Sequence, residues 1–314
     1  MQVFDRAYVE AHLTPEKCLA VMEDTIRQER AGGCTQYLRT AINMPNTNVL
    51  GLMPAYFEKG YFGAKIISVY HTNAGTGYPS HQGQILLFGA GHGEVLCSVD
   101  AMSVTQIRTG AVSALASRAL ARPDSQVLAL LGCGAQGESH LRSIAQVFPL
   151  REVTCWDRSP QNAWGLAALA RELGVEARVC TAAQEAVADA DIVCTLTPAT
   201  EPILYRDWLK PGCHINAVGA CAPHAREIDS ALARNCRFFG DNADSVLHES
   251  GDFLIPMSEG LYGEEHLEGA LGDVLLGALP GRKNEEEITL FDALGMAVED
   301  VACAIALYEE AMQG

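Results

Sequence analysis

The 314-residue chain lacks the features that mark several large classes of protein. No apolar run is long enough to span a bilayer, and no signal peptide is recognisable at its start, so we expect a cytoplasmic protein without a membrane partner. Positive charge is scarce: 22 Lys and Arg stand against 39 Asp and Glu, which gives a formal net charge of −17. This balance disfavours nucleic acid as a partner, and it requires that an anionic substrate be held by a local cluster of Arg or Lys.

Cysteine and histidine are present, but not in the spacings typical of disulfide frameworks and metal sites. The eleven cysteines are odd in number, include no Cys-x-x-Cys and mostly fall inside apolar segments. Buried, reduced thiols are therefore the expected state, which again favours the cytoplasm. The nine histidines show no ligand spacing, so we predict no metal site.

One stretch in the middle of the chain has the pattern of a dinucleotide-binding βαβ unit. The apolar run Val127–Leu131 predicts a strand buried on both faces of a parallel sheet, and Gly132-Cys133-Gly134-Ala135-Gln136-Gly137 follows it directly. In this spacing Gly132 permits the tight turn, Gly134 lets a pyrophosphate approach the backbone, and Gly137 lets the next helix pack closely. We predict that helix over 139–148, with its positive amino end able to hold a diphosphate.

The residues that follow this helix indicate which dinucleotide would bind. A second strand, Val153–Trp156, ends at Asp157, about 20 residues past the last glycine, where a carboxylate would accept the ribose hydroxyls. Asp157 therefore predicts NAD. Arg158 leaves NADP open, because a neighbouring guanidinium could bind the 2′-phosphate.

The rest of the chain divides into two patterns. Before the motif, a helix that starts at Thr14-Pro15 is followed by strands joined through short turns, which predicts an antiparallel sheet, and then by a helix over 103–121. After Asp157, strands and helices alternate, which predicts a parallel sheet. The predicted strands are 36–43, 48–56, 61–71, 82–90, 94–99, 175–180, 191–196, 213–218, 238–239 and 288–291, and the later helices are 161–173, 182–187, 267–279 and 295–312. The loops 195–200 and 219–223 should face the cofactor.

Three basic residues interrupt otherwise apolar segments of the first half: Arg39, Lys65 and Arg108. Each could be a surface residue that buries only its aliphatic stem. That interpretation fits Lys65 poorly, because Ile66 and Ile67 follow it and an isolated buried ammonium is costly without an anion. Three such cations are what a small carboxylate substrate would need.

Taken as a set, these motifs resemble the ornithine cyclodeaminase/μ-crystallin family. The residues that carry the resemblance are Arg39, Met53-Pro54-Ala55, Gly63-x-Lys65, Arg108-Thr109, Gly132-x-Gly134-x-x-Gly137, Ala217-Val218-Gly219-Ala220, Pro223 and Glu227-Ile228-Asp229. The resemblance implies an α/β homodimer in which a Rossmann dinucleotide-binding domain, residues 114–294, is inserted into an α+β antiparallel-sheet substrate and dimerisation domain, residues 1–113 plus 295–314.

The resemblance also implies roles for individual residues. Arg39, Lys65 and Arg108 would bind the substrate carboxylate beside the nicotinamide, and the expected catalytic residues are Lys65, Arg108 and Cys221. The expected cofactor-binding residues are Thr109, Gly132, Gly134, Ala135, Gln136, Gly137, Asp157, Arg158, Thr195, Leu196, Thr197, Val218 and Gly219.

One departure from the family pattern bears on the reaction. Cyclodeaminases carry a catalytic aspartate at the position that falls here on Cys221, and a thiol cannot replace a carboxylate of low pKa. A reductase needs only an anchored carboxylate, a nicotinamide and a proton donor, for which Lys65 is the first candidate. We therefore expect hydride transfer at the α-carbon of a small imino acid, best matched by a cyclic ketimine such as 1-pyrroline-2-carboxylate. The alternatives are an ornithine cyclodeaminase, an alanine-type dehydrogenase and a non-catalytic NAD(P)-binding protein.

Overall fold

Two β-sheets organise the part of the chain, residues 1–73 and 75–313, that this computed structural model describes. The first elements are β1 (Gln2–Phe4), α1 (Arg6–His12), α2 (Pro15–Ala31), β2 (Cys34–Gln36), β3 (Thr40–Asn43), β4 (Val49–Phe57), β5 (Tyr61–Val69), β6 (His81–Gly89), β7 (Val95–Asp100) and α3 (Ala101–Leu120). They are followed by β8 (Val127–Leu131), α4 (Ala135–Ile144), β9 (Glu152–Trp156), α5 (Pro160–Glu172), β10 (Glu176–Val179), α6 (Ala183–Val187), β11 (Ile192–Thr195), β12 (His214–Ala217), α7 (Ser230–Arg234), β13 (Arg237–Gly240), α8 (Ala243–Glu249), α9 (Gly251–Ser258), β14 (Leu267–Ala270), α10 (Leu271–Leu275), β15 (Thr289–Asp292) and α11 (Ala297–Gln313).

The chain forms two compact units. Unit 1 comprises Met1–Arg108 and the segment from Gly295 onward, and unit 2 comprises Thr109–Leu294. The boundary between Arg108 and Thr109 lies inside α3. The boundary predicted from the sequence, at residue 113, falls in the same helix.

The sheet of unit 1 has the strand order β1-β7-β6-β5-β4-β2, and β3 also pairs with β4. Its pairs are antiparallel, as expected, apart from β1, which pairs in parallel with β7. The sheet is therefore mixed. The prediction of an antiparallel sheet was wrong for β1, whose pairing with β7 is parallel. The predicted strand 36–43 is also two strands, β2 and β3, so Arg39 lies in the break between them and not inside a strand.

Two helices cover this sheet. Helix α2 begins where expected: Thr14 accepts a hydrogen bond from the Lys17 amide, and the helix ends at Gly32, whose φ of 83° is left-handed. Helix α11 packs against α2 and β5. A Cβ atom at Gly63 in β5 would lie 3.3 Å from Val301 in α11 and 2.5 Å from the Leu86 carbonyl oxygen, so this contact requires glycine.

The sheet of unit 2 is parallel, with the order β10-β9-β8-β11-β12-β15-β13-β14. The order reverses between β8 and β11, and such a switch point is where doubly wound sheets bind nucleotides. Two predicted helices were misplaced. The helix predicted over 139–148 begins at Ala135 and ends at Ile144. The one predicted over 267–279 is β14 followed by the short α10, because Leu267 to Ala270 pair with β13 and Gly269 has a φ of 150°.

Candidate active site

The glycine-rich turn between β8 and α4 has the geometry that a diphosphate needs. Gly132 has a φ of 104°, and a Cβ atom at Gly137 would lie 2.7 Å from the Gly132 carbonyl oxygen, so the helix packs against the turn only with glycine at both positions. At Gly134, by contrast, a Cβ atom would meet nothing within 4 Å. Gly134 and Ala135 are exposed, and no side chain caps the first amides of α4. These residues fit a dinucleotide phosphate, which the backbone would hold.

Asp157 lies at the end of β9, directly beside this turn. Its Oδ2 accepts a 2.8 Å hydrogen bond from the Cys133 amide and its Oδ1 a 2.7 Å bond from the Ser159 amide. Asn162 Nδ2 donates a third bond to Oδ1 at 3.5 Å. A carboxylate has about four acceptor positions, so these bonds hold Asp157 in place without exhausting its capacity for ribose hydroxyls. Arg158 is exposed next to it.

The ends of β11 and β12 are joined by backbone hydrogen bonds. Thr195 pairs with Ala217, and the Thr195 carbonyl accepts from the amides of Val218 and Gly219 at 3.1 and 3.2 Å. The Thr195 side chain is completely buried, whereas Leu196 and Thr197 are half-buried. The predicted cofactor loops therefore start at adjacent strand ends.

Glu227, which was not among the residues predicted to bind the cofactor or the substrate, connects these two loops. Its Oε1 accepts hydrogen bonds from the Thr197 amide at 2.7 Å and the Thr197 hydroxyl at 2.6 Å, and its Oε2 accepts from the Gly219 amide at 2.8 Å. The side chain is completely buried. Burial raises the pKa of Glu227, although the hydrogen bonds from Thr197 and Gly219 oppose that rise. The Glu-Ile-Asp sequence marked this position only as part of the family resemblance.

Unit 1 brings two of the predicted cations together with two acids. Lys65 Nζ lies 2.5 Å from Asp300 Oδ2, and Arg108 donates from Nε to Asp300 Oδ1 at 3.2 Å and from Nη1 to Glu299 Oε2 at 2.7 Å. All four side chains are buried. The two acids were not predicted from the sequence; the available signal was a pair of adjacent carboxylates inside the apolar run from Met296 to Ala302.

The charges in this cluster shift one another's pKa values. Burial lowers the pKa of Lys65, Asp300 opposes this, and Arg108 and Arg39 lower it further. For Asp300, burial raises the pKa but Arg108 and Lys65 lower it by more. The pKa of both partners therefore moves down: that of Lys65 mainly because the ammonium is buried, and that of Asp300 because two cations face it. A buried ammonium with a lowered pKa is a better proton donor than an exposed lysine.

Arg39 reaches the same region from the break between β2 and β3. It is half-buried and donates a 3.3 Å hydrogen bond to the Gly295 carbonyl. Gly295 has a φ of 85°, and a Cβ atom there would lie 2.7 Å from Arg108 Nη2. Glycine thus allows the two guanidinium groups to approach the same point of the backbone. All three predicted substrate-binding cations belong to one cluster in unit 1.

Comparison with known proteins assigns the chain to a family. Residues 2–314 match the ornithine cyclodeaminase/mu-crystallin family. The chain belongs to this family. The predicted family and the predicted α/β fold class are confirmed.

No group of three or more His, Cys, Asp or Glu side chains within residues 1–73 and 75–313 is placed to hold a metal ion. No helix in that part of the chain is long and apolar enough to cross a membrane.

Several family members with known activities are similar over nearly the whole chain. Ketimine reductase mu-crystallin of Mus musculus is 39% identical over 285 residues, which cover 90% of this chain and 87% of the mouse protein. Thermococcus litoralis Delta(1)-pyrroline-2-carboxylate reductase, solved in complex with NADH and L-proline, superposes with a TM-score of 0.96 at 33% identity and covers 100% of this chain and 98% of its own. An archaeal alanine dehydrogenase dimer with bound NAD gives a TM-score of 0.95 at 29% identity, covering 100% of this chain and 96% of its own.

Cys221 is the residue predicted from the sequence to replace the aspartate of the cyclodeaminases. It is exposed, and its Sγ lies 3.5 Å from the Val218 carbonyl oxygen. The nearby acids have other partners: Glu227 holds Thr197 and Gly219, and Asp229 caps α7 by accepting from the Leu232 amide. Neither acid is available to take the place of a carboxylate at residue 221.

Proposed function

We propose that the protein is an NADH-dependent reductase of small cyclic α-imino acids, of which 1-pyrroline-2-carboxylate is the simplest example. The observation that carries the proposal is the buried Lys65, held 2.5 Å from Asp300 and next to Arg108. This cluster combines a proton donor with carboxylate-binding guanidinium groups, and reduction of a carboxylated imine uses both.

Each cation has a distinct part in the proposed reaction. The guanidinium groups of Arg39 and Arg108 bind the substrate carboxylate, and this contact orients the imine carbon. When bound, NADH supplies the hydride that forms the new C–H bond at that carbon. Lys65 gives its proton to the imine nitrogen, so the products are the cyclic amino acid and NAD. Asp300 keeps the Lys65 ammonium charged and pointing in one direction.

The proposed cofactor is NAD rather than NADP. Support comes from the open backbone at Gly134, from the carboxylate of Asp157 beside it, and from the two structural relatives that carry NADH or NAD. A carboxylate at this position would repel a 2′-phosphate. Arg158 is the residue that could offset that repulsion, because its guanidinium could bind the 2′-phosphate.

We further propose that the chain acts as a homodimer in the cytoplasm. One face of the unit 1 sheet exposes large apolar side chains: Leu50 lies opposite Ile42, and Leu52 lies opposite Ile66. Apolar patches of this kind mark interfaces, and the archaeal relative is a dimer. The ten buried cysteine thiols favour a reducing compartment.

The dimer proposal has a direct test by sedimentation. Leu52→Glu combined with Ile66→Glu should convert the dimer to a monomer. Trp164→Glu, a control at an apolar side chain of unit 2 that is more exposed than Leu52 or Ile66, should leave it unchanged. A wild-type monomer at micromolar concentration would contradict the proposal.

The function itself is tested by following NADH oxidation with a set of related substrates. We expect turnover with 1-pyrroline-2-carboxylate or its six-membered homologue, and none with 1-pyrroline, which has the imine but no carboxylate. Pyruvate with ammonia tests the alanine dehydrogenase activity of the archaeal relative. The proposal is wrong if none of the carboxylated imines oxidises NADH.

A further inference from the structure

The structure points to a role for Glu227 that no part of the proposed mechanism yet uses. The carboxyl ends of neighbouring parallel strands form the ligand crevice of a doubly wound sheet. Strands β11 and β12 are such neighbours, and the loop after each begins within two residues of the Thr195–Ala217 pair. Glu227 is the side chain that holds these two loops together, through Thr197 on one and Gly219 on the other.

We infer that Glu227 is a positioning residue for hydride transfer: by tying the Thr197 loop to the Gly219 loop, it fixes the backbone that would support the nicotinamide ring. This inference rests on the proposed function and extends it to a residue that touches neither substrate nor hydride. Three hydrogen bonds of 2.6 to 2.8 Å to one buried carboxylate leave the two loops little freedom to move separately.

The backbone of Glu227 is itself fixed from two sides. Its carbonyl accepts hydrogen bonds from the amides of Ile203 and Leu204 at 2.8 and 3.0 Å. Its amide and that of Ile228 donate to Asp252 Oδ1 at 2.8 and 3.0 Å. The Glu227 side chain therefore extends from a backbone held by hydrogen bonds, and the two loops that it contacts are attached to that backbone.

The close approach of Glu227 to the Gly219 amide depends on the residue type at position 219. A Cβ atom at this position would lie 2.6 Å from Glu227 Oε2 and 2.1 Å from the Thr197 carbonyl oxygen. Only glycine lets the amide come within hydrogen-bonding distance of the carboxylate. The contact therefore requires glycine at position 219.

The chemistry of the contact requires an acceptor at both oxygens of Glu227. Glutamine has the same shape but only one acceptor oxygen, so in Glu227→Gln the NH₂ group would face either the Gly219 amide or the Thr197 donors. The hydrogen bonding to one of the two loops is lost, while the side chain keeps nearly the same volume. Small displacements of a reacting group can slow a reaction about a hundredfold without preventing binding.

The experiment compares wild type, Glu227→Gln and Asp229→Asn. Each protein is loaded with NADH and mixed with the ketimine that the wild type uses, and the single-turnover rate of NADH oxidation is measured beside the NADH Kd. For Glu227→Gln we expect hydride transfer to slow about tenfold to a hundredfold, with the Kd changed less than about threefold because the phosphate and ribose contacts are intact. Asp229→Asn makes the same acid-to-amide change at the cap of the nearby α7 but keeps an acceptor oxygen for the Leu232 amide, so it should leave both the rate and the Kd unchanged.

A second variant separates positioning from folding. Thr197→Val removes the hydroxyl donor to Glu227 but keeps the amide donor, so we expect a smaller loss of rate. The double variant should be no slower than Glu227→Gln alone, because both changes act through one contact. Additive losses, or a wild-type single-turnover rate in folded Glu227→Gln, overturn the inference while leaving the reductase proposal intact. A wild-type protein that neither binds NADH nor reduces any ketimine overturns both.

Discussion

Lys65 Nζ lies 2.5 Å from Asp300 Oδ2, and the two side chains are only 3% and 0% exposed. Burying an ion pair is expensive unless other groups complete it, and here Arg108 does so by donating to the second oxygen of Asp300. The arrangement keeps the charge on a lysine whose pKa is lowered by burial and by two arginines. Asp300 is the group that opposes this lowering.

The first prediction follows from that balance. A protonated Lys65 is required, so the rate of ketimine reduction should fall as the pH rises through the pKa of Lys65. Asp300→Asn removes the negative charge that raises this pKa, and the basic limb of the kcat profile should therefore move to lower pH. Glu299→Gln is the matched control, because Glu299 pairs with Arg108 whereas Asp300 is the acid that lies 2.5 Å from Lys65. Equal movement of the basic limb in both variants would show that Lys65 is not the titrating group.

The second prediction separates the two arginines. Arg39 is half-buried and binds a backbone carbonyl, so Arg39→Ala should leave stability nearly unchanged and lower kcat/KM by about tenfold to a hundredfold, the effect of losing a hydrogen bond to a charged group. Arg108→Ala leaves Glu299 and Asp300 buried without their partner, which should also cost about 3–5 kcal/mol of unfolding free energy. Urea unfolding beside steady-state kinetics measures both. A loss of NADH affinity in Arg39→Ala would contradict its assignment to the substrate carboxylate.

The third prediction uses two glycines of one motif that have opposite surroundings. Gly134→Ala adds a methyl group in open space, so the protein should fold but lose at least about tenfold in NADH affinity, or about 1.4 kcal/mol, as the methyl occupies the phosphate position. Gly137→Ala places its Cβ 2.7 Å from the Gly132 carbonyl oxygen and 3.0 Å from Leu166, which should destabilise the fold by about 1–3 kcal/mol. Calorimetric titration and thermal unfolding distinguish the two. Unchanged NADH affinity in Gly134→Ala would place the diphosphate elsewhere.

The sequence predicted best those features that depend on local pattern. The strand β8, the glycine turn and Asp157 follow one another within a single βαβ unit, so spacing alone located them. The cations at 39, 65 and 108 were visible because each interrupts an apolar segment. Short strands such as β1 and β14 were missed because three or four residues carry no periodicity, and their pairing depends on distant partners.

The partners of the candidate site residues could not be predicted for a related reason. Asp300 is separated from Lys65 by more than two-thirds of the chain, and Glu227 meets Thr197 only because β11 and β12 are neighbours in the sheet. In sequence both acids look like ordinary charged residues. Their complete burial is what gives them a role, and burial of a single position is set by tertiary packing.

The fourth prediction concerns the choice between the two dinucleotides. Asp157→Ala should weaken NADH binding more than NADPH binding, because it removes the ribose acceptor and also the repulsion of a 2′-phosphate. Since Asp157 also accepts from the Cys133 amide, some loss for both cofactors is expected, and the ratio of the two Kd values is the informative quantity. Arg158→Ala should leave NADH affinity unchanged. Tighter binding of NADPH than NADH by the wild type would show that Arg158 dominates.

The fifth prediction distinguishes a reductase from a cyclodeaminase. Ornithine with NAD should give no proline with the wild type, because Cys221 stands where a carboxylate would have to handle the substrate amine. The nearby acids are engaged in other contacts: Glu227 accepts from Thr197 and Gly219, and Asp229 caps α7. Proline and ammonia released from ornithine by the wild type would refute this and restore the cyclodeaminase interpretation.

The same position offers a variant that tests the argument from the opposite direction. Cys221 is exposed, so Cys221→Asp places a charge near solvent and should fold normally, with unfolding free energy within about 0.5 kcal/mol of wild type. If the missing carboxylate is what prevents cyclodeamination, this variant should release measurable proline from ornithine, whereas Cys221→Ser, which has no carboxylate, should release none. Both variants should still reduce the ketimine, since Lys65 and its partner Asp300 are unchanged. Amino-acid analysis of the reaction mixture reports proline directly, and a folded Cys221→Asp without it would show that a carboxylate at this position is not sufficient for ring closure.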